Sequence, residues 1–303
     1  MPRNRHSVRI GRRYRPSRVA GPYDALVVGS GIGGLTAAAC LAKMGRRVCV
    51  LEQHYTAGGF THAYEREGYD WDVGVHYIGD MGSERTLGRR LFDYITDGKL
   101  EWAAMDEHFD RVFLGGEHYD LVAGKPEYRD ALVAAFPREE AAIDSYLQLM
   151  RGARDATRLA TLQKILPGWV GRVLGAWLGR RIPADVYRTT REVLEGLTRD
   201  QKLIAVLTGQ WGDCGLPPAR SSFLIHSLIA QHYMHGGYYP VGGASRMAET
   251  IVPVIQAAGG EVFTYAEVQR IRAVSYTHLR AHETSSSISY AVFCLKRGGG
   301  GGG

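Results

Sequence analysis

The stretch Asp24-Ala-Leu-Val-Val-Gly29-Ser-Gly31-Ile-Gly-Gly34 decides the fold of this 303-residue chain. Its apolar residues 25–28 predict a buried strand, and the glycines have the spacing Gly-x-Gly-x-x-Gly at the start of a small-residue helix. Gly29 suits the tight turn, Gly31 the close approach of a pyrophosphate, and Gly34 the packing of helix on strand. The free N–H groups of the helix N-terminus favour phosphate charge. We therefore expect a dinucleotide to contact Gly29, Ser30, Gly31, Ile32, Gly33 and Gly34.

The following segment completes a β-α-β unit. Gly45 is placed to end the helix, and residues 48–51 predict a second, parallel strand. Glu52 stands at the tip of that strand, where a carboxylate binds the ribose hydroxyls of an adenosine, and Gln53 adjoins it. All parts of the unit have the required spacing. The sequence thus predicts an α/β fold with a Rossmann-type domain.

Paired glycines, Gly58 and Gly59, follow the acid and let the backbone lie against a cofactor that continues beyond its pyrophosphate. An acid followed by Gly-Gly resembles the FAD-dependent family that includes phytoene desaturases and amine oxidases. The resemblance implies that the cofactor is FAD. NAD(P)H is a candidate electron donor, although the sequence contains no second dinucleotide motif.

Three further stretches narrow the resemblance to the retinol saturase and carotenoid isomerase branch of that family. They are residues 72–79, 212–218 and 232–243, and the lead-in at 21–24 agrees. The likeness covers most of residues 21–273. It implies a flavoprotein that saturates, desaturates or isomerises a C=C bond in a long isoprenoid polyene.

Two other functions remain open at this point. One is an amine oxidase-like enzyme on the same fold. The other is a flavin-free protein that binds prenyl groups. A protein that binds no nucleotide would have no physical need of Gly29, Gly31, Gly34 and Glu52 together, which counts against this alternative. The long apolar helical segment favours an apolar substrate over a small amine.

Histidines supply the candidate catalytic group. His76 follows the flavin-side stretch Asp72-Val-Gly74, and we predict that it meets the isoalloxazine or the substrate. His226, His232 and His235 are spaced six and three residues apart without an acidic partner nearby, so we predict no metal site.

Composition divides the chain into five segments. Helical patterns occupy 84–97, 127–160, 163–181, 186–209 and 219–234, a hairpin is predicted near 111–120, and strands are predicted at 261–265 and 266–271. The segments are a basic arm (1–20), the first part of the FAD-binding domain (21–84), a mostly helical substrate or cap domain (85–235), a return segment of the FAD-binding domain (236–273), and residues 274–303.

The charge distribution and the cysteines indicate which partners and which cellular compartment suit the protein. The formal charge is +6, but residues 1–20 hold seven arginines and no acid, and residues 21–273 hold 27 basic and 30 acidic residues. A basic arm on such a body argues against nucleic-acid binding and allows attraction to anionic lipid. Cys40, Cys49 and Cys214 have no metal-like spacing and suit a reducing compartment. We expect a cytoplasmic protein, peripheral to a membrane, of unspecified oligomeric state.

One helical segment has an interfacial composition. Apolar pairs that include Trp169, Val173 and Trp177 recur every four residues, with cations between them. This pattern is typical of an amphipathic helix that lies on a membrane, and equally of a helix that faces a protein core.

Residues 274–303 look like translated adapter. Val274–Glu283 and Ile288–Leu295 correspond, in one frame and in order, to two adjoining parts of a sequencing-library adapter, and six glycines follow. We set this segment aside from the fold. We expect the gene to be read only to about Ala273, and do not expect this truncated chain to be active alone.

Overall fold

The computed structural model describes residues 9–179, 182–271, 280–282 and 291–295. These residues form two compact units. The first, called here the nucleotide unit, comprises the described residues within 1–77, 83–103 and 239–303. The second, called the helical unit, comprises the described residues within 78–82 and 104–238.

The strands are short, with two to seven residues each. In the described residues they are β1 (Arg12–Arg13), β2 (Ala25–Val28), β3 (Val48–Leu51), β4 (Ala63–Arg66), β5 (Tyr69–Asp72), β6 (Ile78–Gly79), β7 (Trp102–Ala104), β8 (His108–Leu114), β9 (Glu117–Val122), β10 (Gly237–Pro240), β11 (Glu261–Thr264), β12 (Arg280–His282) and β13 (Ala291–Leu295).

The helices are concentrated in the helical unit. In the described residues they are α1 (Ile32–Lys43), α2 (Leu87–Ile95), α3 (Lys125–Ala135), α4 (Glu140–Ile165), α5 (Gly168–Gly179), α6 (Thr190–Leu197), α7 (Gln201–Leu207), α8 (Phe223–Tyr233) and α9 (Arg246–Ala257).

A six-stranded sheet of order β1-β11-β3-β2-β13-β12 organises the nucleotide unit. β2 and β3 are parallel neighbours, with Ala25 opposite Val48 and Val28 opposite Leu51. Because parallel neighbours need a crossover, the chain passes through α1 between them. The α/β class and the Rossmann-type domain are confirmed.

One face of this sheet is covered by two helices, α1 and α9. Leu35 of α1, Val50 of β3 and Ile251 of α9 are completely buried in a single cluster. The small side chains Ala38 and Ala39 bring α1 close to the strands. This packing fixes the end of α1 that follows the glycine turn.

The basic arm is partly built into the sheet. Arg12 and Arg13 form β1 and pair in parallel with Phe263 and Thr264 of β11. The guanidinium of Arg12 lies 3.7 Å from a carboxylate oxygen of Glu261, and Ile10 is buried. The described part of the arm is therefore an edge of the nucleotide unit.

The segment that sequence reasoning set aside also pairs with the sheet. β13 runs antiparallel to β2, with Val292 opposite Val28. Sheet pairing uses main-chain groups, and an edge strand accepts any extended segment that reaches it. The pairing therefore does not bear on where residues 274–303 come from.

A strand was predicted at 266–271, and that prediction was wrong. β11 ends at Thr264 because Tyr265 has a φ of +53°, which extended backbone does not adopt. Ala266 then donates its N–H to the Glu52 carbonyl oxygen at 2.7 Å. The chain leaves the sheet direction at this point.

Domain boundaries differ from those predicted. α2, assigned in advance to the cap, belongs to the nucleotide unit, because Ile95 is completely buried in the core cluster and Phe92 packs against it. The chain therefore passes from the nucleotide unit to the helical unit after residue 103 and returns after residue 238. Residues 78–82 are a short earlier segment of the helical unit.

Helix breaks in the helical unit follow local chemistry. The predicted helix 127–160 is interrupted before Pro137, since a residue that precedes proline avoids the helical conformation. The predicted helix 186–209 divides where the Asp200 side chain accepts hydrogen bonds from the N–H groups of Lys202 and Leu203. The hairpin near 111–120 is confirmed as β8 and β9.

Candidate functional site

The glycine turn joins β2 to α1 in the conformation that the motif requires. Gly29 has a φ of +90°, which favours glycine. A Cβ at Gly34 would overlap the Gly29 carbonyl oxygen, so glycine alone lets the helix lie this close. A Cβ at Gly33 would meet no atom within 4 Å. The turn is packed on its strand side and open at Gly33.

Ser30 and Glu52 form the centre of the site. Both side chains are buried, and Glu52 Oε2 accepts hydrogen bonds from Ser30 N at 2.8 Å and from Ser30 Oγ at 2.7 Å. The N–H of His54 donates to Oε1 at 2.8 Å. A carboxylate has about four acceptor positions. Glu52 is thus held firmly by the chain and keeps acceptor capacity for a ligand.

The paired glycines contact the turn directly. Gly58 donates its N–H to the Ser30 carbonyl oxygen at 3.1 Å, and a parallel bridge joins Gly31 to Gly58. A Cβ at Gly59 would lie 2.8 Å from the Gly31 Cα, closer than side-chain contacts allow. The structure therefore brings Gly31, Ser30, Glu52, Gly58 and Gly59 together.

The other predicted cofactor residues lie at the rim of this cluster. Gly33 and Gln53 are exposed, and Ile32 is half-buried against the core. The first N–H groups of α1 have no partner within the helix, as in every α-helix. The cluster consequently presents a helix N-terminus without bulky side chains, next to an anchored carboxylate. These features fit the pyrophosphate and ribose of a dinucleotide.

Asp72 was not predicted as an anchored residue. The Tyr239 hydroxyl donates a hydrogen bond to Asp72 Oδ2, and the Ala244 N–H donates to Oδ1 at 3.4 Å. Burial raises the pKa of Asp72, the Ala244 hydrogen bond lowers it, and the negative charge of Asp70 raises it. Since 167 residues separate Asp72 from Tyr239, no local pattern could have indicated this pair.

His76 is exposed at the end of the same stretch. Its ring lies 4.5 Å from that of Tyr77, with an interplanar angle of 69°. It is therefore not a buried structural histidine.

His232 is half-buried and accepts a hydrogen bond from a distant part of the chain. Gly79 donates its N–H to His232 Nε2 at 2.8 Å, so this nitrogen is unprotonated, and Asp80 Oδ2 lies 4.0 Å from Nδ1. Burial lowers the pKa of His232, whereas Asp80 and Asp213 raise it. The motif stretches 72–79 and 232–243, distant in sequence, are thus neighbours in space.

His226 has a structural environment. A hydrogen bond of 2.9 Å joins its Nε2 to the Tyr146 hydroxyl, and both side chains are buried beside Phe223. Burial lowers the pKa of His226 to about 4. In the described part of the chain, no group of three or more His, Cys, Asp or Glu side chains is arranged to hold a metal ion.

α5 exposes part of its apolar side. Trp169 is 69% exposed and Val173 is 68% exposed. The side chain of Trp177 lies outside the described residues. None of the helices in the described ranges has the length and apolarity needed to cross a bilayer.

Comparison with known proteins agrees with this geometry. Residues 27–95 match the NAD(P)-binding Rossmann-like domain family. A solved structure of an oxidoreductase from Methanosarcina mazei superposes with a TM-score of 0.53 at 19% identity, covering 79% of this chain and 50% of that chain. At this identity the likeness concerns the fold alone.

Two curated relatives carry more information. The chain is 40% identical over 263 residues to the all-trans-retinol 13,14-reductase of Danio rerio, covering 84% of this chain and 43% of that protein. It is 58% identical over 270 residues to the chloroplastic prolycopene isomerase of Arabidopsis thaliana, covering 82% of this chain and 43% of that protein. The chain therefore spans less than half the length of these relatives. On these matches it belongs to the retinol saturase and carotenoid isomerase branch of the phytoene desaturase-like oxidoreductases.

Proposed function

We propose that the full-length protein is an FAD-dependent oxidoreductase that acts on a C=C bond of a long isoprenoid polyene. The substrate class follows from its relatives, which are named for reduction of retinol and for isomerisation of prolycopene. The observation that carries the cofactor assignment is the anchored Glu52 carboxylate beside the glycine turn and the Gly58-Gly59 loop.

Each part of the glycine turn has a role toward FAD. The N-terminus of α1 would hold the pyrophosphate with its free N–H groups, and Glu52 would accept hydrogen bonds from the ribose hydroxyls. Gly58 and Gly59 would let the backbone lie beside the rest of the cofactor. Bound FAD supplies hydride chemistry. We also propose NAD(P)H as the source of the electrons.

We propose that two side chains act near the part of the flavin and substrate where the reaction takes place. Asp72, anchored by Tyr239 and Ala244, fixes the turn that leads to His76. His76, being exposed, would position the polyene or transfer a proton to it.

The direct test uses purified full-length protein, reduced under anaerobic conditions. We expect a yellow protein that releases FAD on denaturation and that converts retinol or a lycopene isomer, as seen by chromatography of the polyene. His76→Ala should slow this conversion while leaving the flavin content unchanged. A colourless protein that binds NAD would contradict the cofactor proposal. Reduction of the flavin by amines, with every polyene unchanged, would favour the amine oxidase-like alternative.

We further propose that the enzyme works at a membrane surface on the cytoplasmic side, where a polyene dissolved in lipid can be extracted. Exposed Trp169 and Val173 on α5 support this proposal, since apolar side chains left in water gain by entering lipid. The arginines of the basic arm would add attraction to anionic headgroups.

Substitution of both residues should weaken binding to vesicles. Burial of one large apolar side chain contributes roughly 1.5–3 kcal/mol, so Trp169→Ser with Val173→Ser should lower partitioning onto phosphatidylcholine–phosphatidylserine vesicles by about tenfold or more in a sedimentation assay. Phe113→Ser is the matched control, because Phe113 is 75% exposed on β8 of the same unit. Equal partitioning of the double variant and the wild type would exclude α5 as the contact.

A further inference from the structure

A cavity of about 490 Å³ lies within the helical unit, apart from the site described above. Its cationic lining residues are Lys125 at the start of α3, Arg129 further along it, and Arg151 and Arg154 of α4. Asp144 is the acidic residue of the lining. The wall is otherwise largely apolar, with Leu147, Met150 and Met234.

Asp144, the acidic residue of the lining, forms an ion pair with Arg129. Arg129 Nε lies 2.6 Å from Asp144 Oδ1, and Arg129 Nη2 lies 2.6 Å from Glu140 Oε1. The two carboxylates together carry two negative charges against the one positive charge of Arg129, and Asp144 also acts electrostatically on Arg151. With the four cations of the lining, the cavity keeps a surplus of about two positive charges.

Positions along α4 bring the charges to one face. Leu147, Arg151 and Arg154 are four and three residues apart, a spacing that places side chains on the same side of a helix. Lys125 is the first residue of α3, where the helix dipole adds further positive potential. An apolar wall and a cationic end thus share one cavity.

Two features of these cations are energetically costly. Arg154 Nε is buried and has no hydrogen-bond partner among the described residues. Burial lowers the pKa of Lys125, and the positive charges of Arg154, Arg151 and Arg158 lower it further, while Asp80 opposes them. A buried donor without an acceptor and like charges near one another are both energetically unfavourable. An anion in the cavity would relieve both.

We propose that this cavity binds the phosphate monoester of an amphipathic ligand, with the phosphate among Lys125, Arg151 and Arg154 and the organic part on the apolar wall. A monoester carries about −1.5 to −2 charges at neutral pH, which balances this positive surplus more fully than a single carboxylate would. The volume lies in the range of pockets for small molecules.

Such a monoester occurs in two kinds of molecule, a 2′-phosphorylated nicotinamide nucleotide and a phosphatidic acid. Calorimetric titration of the full-length, FAD-loaded protein separates them. The probes are NADP⁺ against NAD⁺, and dihexanoyl phosphatidic acid against dihexanoyl phosphatidylcholine, each pair differing in the monoester. We expect saturable binding of at least one monoester and weaker binding of its partner probe.

Two substitutions locate the binding. Lys125→Gln and Arg154→Gln should each weaken the monoester by about tenfold or more, because each removes a charged hydrogen-bond donor. Arg188→Gln is the matched control, since Arg188 is exposed, pairs with Asp185 in the same unit, and lies outside the cavity lining. Should Arg154→Gln not fold, Lys125→Gln alone decides. Absence of monoester binding, or equal binding by the wild type and the folded variants, would overturn the proposal. Since flavin content and polyene conversion are measured separately, either proposal can fail without the other.

Discussion

Glu52→Ala should lower the affinity of the full-length protein for FAD by roughly five- to 150-fold, or about 1–3 kcal/mol. On the proposed function, the substitution removes the acceptor for the ribose hydroxyls. It also leaves Ser30 N, Ser30 Oγ and His54 N without the carboxylate to which they donate. Unpaired buried donors would loosen the glycine turn, to which we assign the pyrophosphate, so we expect both ends of the adenosine diphosphate to lose contacts.

Flavin fluorescence during titration of apoprotein with FAD measures this change. Glu65→Ala is the control, because Glu65 is an exposed acid on β4 of the same unit. Ser30→Ala should have a smaller effect in the same direction, since it removes one tether of Glu52 and leaves the carboxylate in place. An FAD affinity that is unchanged in Glu52→Ala would exclude this carboxylate as a cofactor ligand.

Acidification from pH 6.5 towards pH 4 should destabilise the protein by up to roughly 3 kcal/mol through His226 alone. In the folded chain the His226 pKa is about 4, against 6.5 for an ordinary histidine, because the ring is buried. Between pH 4 and pH 6.5 this histidine is protonated in the unfolded chain and neutral in the folded chain. Protonation therefore favours unfolding. The stabilising contribution is complete above pH 6.5 and is lost as the pH falls towards 4.

Urea unfolding followed by tryptophan fluorescence at pH 7 and pH 5 tests this expectation. His226→Gln should lower stability at pH 7, where it disturbs the hydrogen bond with Tyr146, and should flatten the dependence on pH. His118→Gln is the control, because His118 is exposed on β9. An equally steep loss of stability on acidification in His226→Gln would assign the effect to other groups.

The nucleotide half of the site could be read directly from the sequence. Strand, glycine turn, helix, second strand and acid lie within residues 24–52, and each is encoded by local pattern and spacing. Parallel pairing of β2 with β3 then follows from chain connectivity. The conformation of Gly29 and the closeness of Gly34 to its carbonyl oxygen are consequences of that same short stretch.

Errors arose where a local pattern met a competing contact. The alternating residues 266–271 suggested a strand, but Tyr265 turns the chain and the Ala266 N–H bonds to Glu52. The segment 84–97 suggested a helix of the cap, but its buried Ile95 packs in the core of the nucleotide unit. Periodicity predicts that a helix has an apolar side, but it does not identify the hydrophobic core against which that side packs.

By itself the sequence determined the dinucleotide fold, the family and the residues of the glycine turn, because these depend on contacts between near neighbours. Only the tertiary structure decided which residues that are distant in sequence contact each other. Ser30 meets Glu52 across 22 residues, Gly79 meets His232 across 153, and Asp72 meets Tyr239 across 167. The cations of the helical-unit cavity likewise converge from separate helices. Such contacts depend on how whole helices and strands pack against one another. The spacing of residues along the chain predicts the individual elements but not this packing.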